Sequence, residues 1–165
     1  WSYWGKEVFG WSSGMIGISL ACYGLGIAFV QGFLIRLRSI SLLSGRFITT
    51  ASLLVGSFAL ISMGLVTEGW IVFCIIPFSA LSELLTPTLG SFLSNSVSND
   101  QQGELQGVLS SLSAVTSIIS PLLMSGLFTV FTLGEGIRYV PGFPFLFAGF
   151  LLVLTILPLS RAMKV

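Results

Sequence analysis

Five apolar runs, each about as long as a bilayer core is thick, are the feature that most limits how this chain can fold. They cover roughly residues 14–35, 47–66, 70–93, 105–131 and 140–159. A helix needs about 20 apolar residues to cross the hydrocarbon core. Inside lipid every backbone amide must find a partner within the protein, and a helix meets that need within one segment. We therefore expect an all-α integral membrane protein, with five transmembrane helices in a single membrane domain over residues 1–165.

The composition agrees with lipid as the main solvent. Hydrophobic residues make up 54% of the chain and charged residues only 8%, whereas a soluble domain carries about 25% charged residues. Histidine, the commonest general base and metal ligand, is absent. Cys22 and Cys74 lie within apolar runs, as packing residues do. We expect no enzymatic activity, no metal and no cofactor, and the scattered basic residues argue against nucleic acid as a partner.

The basic residues predict the orientation of the spans, since loops rich in arginine and lysine tend to stay cytoplasmic. With five spans, the first connector and the C-terminal tail lie on one side, and they hold Arg36, Arg38, Arg46, Arg161 and Lys164. The opposite side holds Lys6 and Arg138. We expect the N-terminus outside and the C-terminus in the cytoplasm. Aromatic residues that favour the membrane interface fall at the expected outer boundary: Trp1, Trp4, Trp11, Trp70 and Tyr139.

The third run contains the one acid expected deep in the membrane. Glu83 comes 13 residues after Trp70, which is about 20 Å along a helix. An ionisable group at that depth costs about 2.5–3.5 kcal/mol on insertion scales and is a functional candidate by default. A proton-carrying acid and a permanently protonated glutamate bonded to a nearby hydroxyl both remain open. Pro77 and Pro87 flank Glu83, so we expect this helix to be bent or locally unwound.

Polar or small residues also form faces with helical spacing. The fourth run has a serine face, which either packs against a helix or lines a wet cavity: Gln106, Ser110, Ser113, Ser117 and Ser120. The first run has a small-residue stripe, expected to be a packing seam: Gly14, Gly17, Ala21, Gly24, Ala28 and Gln31. We interpret Tyr23, on a neighbouring face, as structural. The candidates for a substrate or proton pathway are Glu83, Gln31, Ser113, Thr116 and Ser117.

Two segments of the sequence carry recognisable motifs. Residues 87–123 read PTLGSFLSNSVSNDQQGELQGVLSSLSAVTSIISPLL, and they resemble the tenth and eleventh helices of the major facilitator transporters of the tetracycline-resistance type. The matching positions are Pro87, Leu89, Gln102, Gly103, Leu105, Gln106, Gly107 and Pro121 to Leu123. Residues 9–32 resemble the entry into the eighth helix, with Trp11, Gly17, Ser19, Gly24 and Gln31. The resemblance covers the whole chain, as helices 8–12 of a twelve-helix fold.

This resemblance implies a drug:proton antiporter of the bacterial inner membrane, in which the chain is an incomplete C-terminal half. Its implied partners are membrane lipid, protons, a small amphipathic substrate and the missing N-terminal half, where the proton-coupling acids typically lie. Gln102, Gly103, Gln106 and Gly107 would form a helix-entry motif. A loose version of the gating loop is expected at Arg36, Arg38 and Arg46. Glu83 stands where the group commonly has a small residue.

An alternative is a stand-alone or truncated five-helix protein with a structural, self-associating role or no transport activity. Gly14, Gly17 and Gly24 would then provide the contact between copies. The chain begins at Trp1 without a methionine, so we expect a piece of something longer. The coding sequence upstream of Trp1 would discriminate between the two hypotheses.

Overall fold

The computed structural model describes residues 1–36, 43–133 and 139–162, and within these ranges every regular element is helical. The α-helices are α1 (Ser2–Phe9), α2 (Ser13–Gly32), α3 (Gly45–Leu65), α4 (Gly69–Ser82), α5 (Leu85–Asn95), α6 (Gln102–Thr132) and α7 (Phe143–Ala162). Short 3-10 turns cover Leu34–Arg36 and Asn99–Gln101. The predicted all-α fold is confirmed for the described residues. Arg38, Arg138 and Lys164 lie outside them.

Four stretches are long and apolar enough to cross a membrane, judged by length and composition: Ser13–Arg36, Gly45–Leu65, Gly69–Asn95 and Asn99–Thr132. These correspond to the first four predicted spans. The fifth predicted span falls in α7, whose apolar part, Phe143–Leu159, is shorter. A fifth crossing therefore stays a prediction.

Helix α3 is the centre of the packing, since it contacts α4, α5 and α7. Glycine permits its closest approach to α7. A Cβ atom on Gly142 would overlap the carbonyl group of Gly64, and one on Gly64 would lie 2.6 Å from the Leu146 side chain. Further along the same contact, a Cβ on Gly149 would lie 2.8 Å from Ile61 Cγ1. The backbones of α3 and α7 therefore meet without side chains between them.

An aromatic cluster joins α1 to the starts of α4 and α7. Gly10 has a φ of 64°, a left-handed conformation that suits glycine and ends α1. The chain then turns so that Trp11 lies 5.7 Å from Phe73, measured between ring centroids. Trp4, which is 2% exposed, lies 4.7 Å from Phe145. Trp4 and Trp11 therefore lie at one end of the helices, and their place at the outer membrane boundary stays a prediction.

The connector before α7 is tied to the same end of the molecule. The Tyr139 hydroxyl donates a hydrogen bond to Glu7 Oε1 at 3.0 Å. This bond raises the pKa of Tyr139, because the phenol donates to the carboxylate and would lose that contact on ionising.

The third predicted span is broken at Glu83–Leu84, between α4 and α5. Pro87 explains the position, because it has no N–H to offer the Glu83 carbonyl four residues earlier and its ring crowds that carbonyl. The amides of Glu83 and Leu84 bond instead to Ala80 O and Leu81 O, at 3.1 and 3.3 Å. The predicted local unwinding is confirmed, while Pro77 lies inside α4.

Candidate functional site

A cavity of about 490 Å³ lies beside the helix break. Its lining comes from α2, α3, α4, α5 and α7, together with Glu83 and Trp1. Most of the lining is apolar, and the polar members are Tyr23, Ser52, Ser79, Ser82, Glu83 and Thr86. Drug-sized ligands occupy pockets of about 300–1,000 Å³ with a few well-placed polar groups. The cavity therefore has the size and lining of a small-molecule site.

Glu83 is half-buried, and its side chain reaches the cavity from the break. Its Oε1 atom accepts a hydrogen bond of 2.9 Å from the Tyr23 hydroxyl of α2. Among the described residues that line the cavity there is no lysine or arginine. The carboxylate is thus oriented by a neutral donor, and no lysine or arginine side chain in the described lining pairs with it.

Three serines from two helices also contribute hydroxyl groups to the cavity lining. The Ser82 hydroxyl donates to the carbonyl of Ser79 at 2.7 Å. The Ser79 Oγ atom is buried and has no hydrogen-bond partner within the described chain. A buried hydroxyl without a partner is costly, so Ser79 is available to a ligand or water in the cavity. Ser52, on α3, is 4% exposed.

Ser79, Glu83 and Thr86 are spaced four and three positions apart, which is the spacing of one helical face. All three line the cavity. Tyr23 was interpreted as structural, yet it is the residue that bonds to Glu83. A tyrosine in the interior of an apolar span was the available signal. Ser52 and Ser82 gave no sequence signal, because their places depend on which helix faces which.

The other pathway candidates do not line this cavity. Gln31, Ser113, Thr116 and Ser117 are all exposed. The Thr116 hydroxyl donates to Leu112 O at 3.0 Å, and the Ser117 hydroxyl donates to Ala114 O at 2.8 Å. These hydroxyls are satisfied by their own helix, and their part in a pathway stays a prediction.

The small-residue stripe of α2 is also open in the described chain. A Cβ on Gly17 or Gly24 would have nothing within 4 Å. Helix α2 packs on α4 through a different face, where a Cβ on Gly26 would lie 2.8 Å from Ala80 Cβ. The expected packing seam is therefore not formed within the described chain. Helical spacing identified a face of small residues but could not say which face meets a neighbour.

The helix-entry motif lies at the start of α6, which begins at Gln102 as the sequence indicated. Gln102 Nε2 donates to the carbonyl of Ser94 at 2.7 Å, and Gln102 Oε1 accepts from the Ser94 hydroxyl at 3.0 Å. This pair of bonds fixes the turn between α5 and α6. Gly103, Gln106 and Gly107 are exposed on the first turns of α6.

The gating-loop candidates are described only in part. Arg36 ends the 3-10 turn after α2, and Arg46 lies in the first turn of α3; both are exposed. Arg38 falls in the segment left undescribed. In the ranges that the structure covers, no group of three or more histidine, cysteine, aspartate or glutamate side chains could hold a metal ion.

Comparison with curated proteins finds several tetracycline resistance proteins. The class G protein of Vibrio anguillarum is 35% identical over 133 residues, covering 78% of this chain and 33% of the relative. The class C protein of Escherichia coli is 31% identical over 128 residues, covering 78% and 32%. The class B protein of Escherichia coli is 35% identical over 133 residues, covering 76% and 31%. This chain spans about one third of the length of these relatives. No family model and no solved structure matches it.

Proposed function

Because this chain is a relative of the tetracycline resistance proteins and spans about one third of their length, we propose that it is the membrane-embedded C-terminal part of a drug efflux transporter. The substrate is a small amphipathic molecule, with tetracycline the first to test. The observation that carries the proposal is an apolar cavity that meets one acid at a broken helix. Transport moves a molecule unchanged, so the site needs polar contacts rather than a nucleophile and a base.

The mechanism we propose is proton-coupled alternating access. Discontinuous helices near the bilayer midplane form the binding sites of many secondary transporters, and two bundles rock around them. The break at Glu83–Leu84 makes the third predicted span discontinuous, which supports this mechanism. The exposed serine face of α6, with Gln31 on α2, would line the pathway toward the remaining two thirds of the protein. The N-terminus of this part lies outside, and its C-terminus lies in the cytoplasm.

The first test is drug accumulation in cells that express the complete protein. We expect a lower steady-state level of tetracycline in these cells than in cells that carry an empty vector. Collapse of the proton gradient should abolish the difference. Equal accumulation in the two kinds of cell, with the protein shown to be present in the membrane, would contradict tetracycline efflux. Expression of residues 1–165 alone is the control for the stand-alone alternative, and we expect it to leave accumulation unchanged.

Single cysteines in the complete protein can test whether the serine face of α6 lines a water-filled pathway. Cys22 and Cys74 are exposed and would first be replaced by serine. We expect Ser113→Cys and Ser117→Cys to react at least tenfold faster with a membrane-impermeant thiol reagent than Leu112→Cys and Ile119→Cys, which lie on other faces of α6. The physical reason is that a reagent dissolved in water reaches a wet pathway but not lipid. Uniform protection of both serine positions, with and without drug, would indicate helix packing instead.

A further inference from the structure

The cavity beside the helix break combines an apolar lining with a single acidic group. Its apolar walls include Leu20, Leu53, Leu60, Ile76 and Leu152. Burying apolar surface stabilises a complex by about 25 cal/mol per Å², so such walls favour a ligand with a large hydrophobic body. A strongly hydrated, wholly polar solute would lose its water shell here without replacement.

The charge of the lining determines the sign of the charge that a ligand should carry. Glu83 is the acid of the cavity, and the described lining contains no basic side chain. Glu83 is half-buried, and opposite charges attract more strongly at such a site than in bulk water, so its carboxylate favours a ligand cation. Hard divalent ions such as Ca²⁺ take 6–8 oxygen ligands at about 2.3–2.6 Å, which a single carboxylate with scattered hydroxyls does not supply. An organic monocation fits both the charge and the walls.

Two further features suit a cation of this class. Aromatic rings of Trp1, Tyr23 and Phe145 line the cavity, and ring faces attract organic cations. The Tyr23 hydroxyl holds Glu83 Oε1 at 2.9 Å, which fixes the carboxylate before a ligand arrives. The Ser79 hydroxyl, buried and unpartnered in the described chain, could bond to a ligand that carries a polar group.

We propose that this cavity binds amphipathic organic monocations, with the Glu83 carboxylate as the counter-ion and Tyr23 as the residue that positions it. The proposal rests on the proposed function, since it names a substrate class for the same transporter. It differs from that function in making a claim about binding, which can be measured without transport.

The test is equilibrium binding of radiolabelled tetraphenylphosphonium to the purified complete protein in detergent. We expect saturable binding of one cation per protein. Tetraphenylborate, which has the same shape and the opposite charge, should show no saturable binding when it is measured separately, so that the two ions do not pair with each other. Glu83→Gln should weaken binding at least tenfold, Glu83→Asp should weaken it less, and Tyr23→Phe should weaken it two- to fivefold. Glu104→Gln, an exposed acid on α6 outside the cavity lining, is the matched control and should leave binding unchanged.

A second measurement needs no variant and so does not depend on folding of the mutants. A hydrophobic carbodiimide should modify Glu83 in the native protein, and tetraphenylphosphonium should protect it while tetraphenylborate should not. Binding that is unchanged in folded Glu83→Gln, or modification that the cation does not slow, would overturn the proposal. If either occurs while the protein still lowers tetracycline accumulation, the proposed function stands and this site fails. If the cation binds through Glu83 but tetracycline accumulation is unaffected, the site stands and tetracycline efflux fails.

Discussion

Gly142→Ala is expected to destabilise this part of the protein. The added Cβ would overlap the backbone carbonyl of Gly64, and a backbone group cannot rotate away as a side chain can. Overpacking of a rigid site costs about 1–3 kcal/mol and occasionally more, and we expect this one at the upper end. The measurements are the yield of monodisperse complete protein and its thermal unfolding midpoint, which should fall by several degrees.

Two other glycines provide the controls for this prediction. Gly126→Ala, on α6, places its Cβ in open space within the described part of the chain and should leave the midpoint unchanged. Gly149→Ala brings its Cβ to 2.8 Å from Ile61 Cγ1, which can move in part, so we expect a smaller loss. If Gly142→Ala unfolds at the same temperature as Gly126→Ala, the close approach of α3 and α7 is not as described.

Glu83→Gln is expected to reduce transport by the complete protein at least tenfold without lowering its expression. Glutamine keeps an oxygen that can accept the Tyr23 hydrogen bond, so the substitution removes the charge and the exchangeable proton while retaining the shape. The measurement is drug uptake into inverted membrane vesicles over a range of pH, with Glu104→Gln as the control. Transport that matches the unmodified protein at every pH would show that Glu83 neither carries protons nor contacts the drug.

The sequence predicted the parts of the fold that depend on local chemistry. Runs of apolar residues indicated helices, whereas the start of α6 at Gln102 was implied by the family resemblance. Pro87 and Pro77 indicated an irregular third span. Pro87 interrupts the helix because it has no backbone N–H to bond to the carbonyl four residues earlier. The position of Glu83 in that span could also be counted from Trp70. Apart from the start of α6, these inferences use the spacing of residues along one segment, which can be read from the sequence directly.

What could not be predicted depends on which helix faces which. Tyr23 and Glu83 are 60 positions apart. Helical spacing cannot show that they meet, because it relates only residues of the same helix. The small-residue stripe of α2 shows the same limit. Its residues share one face of the helix, but that face is open in the described chain, and Gly26 on another face contacts Ala80 instead. The serine face of α6 shows why hydroxyls do not reveal their neighbours: a hydroxyl can bond to its own helix, as Thr116 and Ser117 do.

The aromatic cluster gives this part of the protein an intrinsic optical reporter. Trp1 lines the cavity and lies 5.5 and 6.3 Å from the rings of Trp4 and Trp11. Its indole N–H donates to the Ser19 hydroxyl at 2.9 Å, which holds the ring in one orientation. Indole emission depends on the polarity around the ring, and excitation passes readily between rings this close. A molecule that fills the cavity would therefore change the emission of all three tryptophans together, so that occupancy could be followed by fluorescence without attaching a dye.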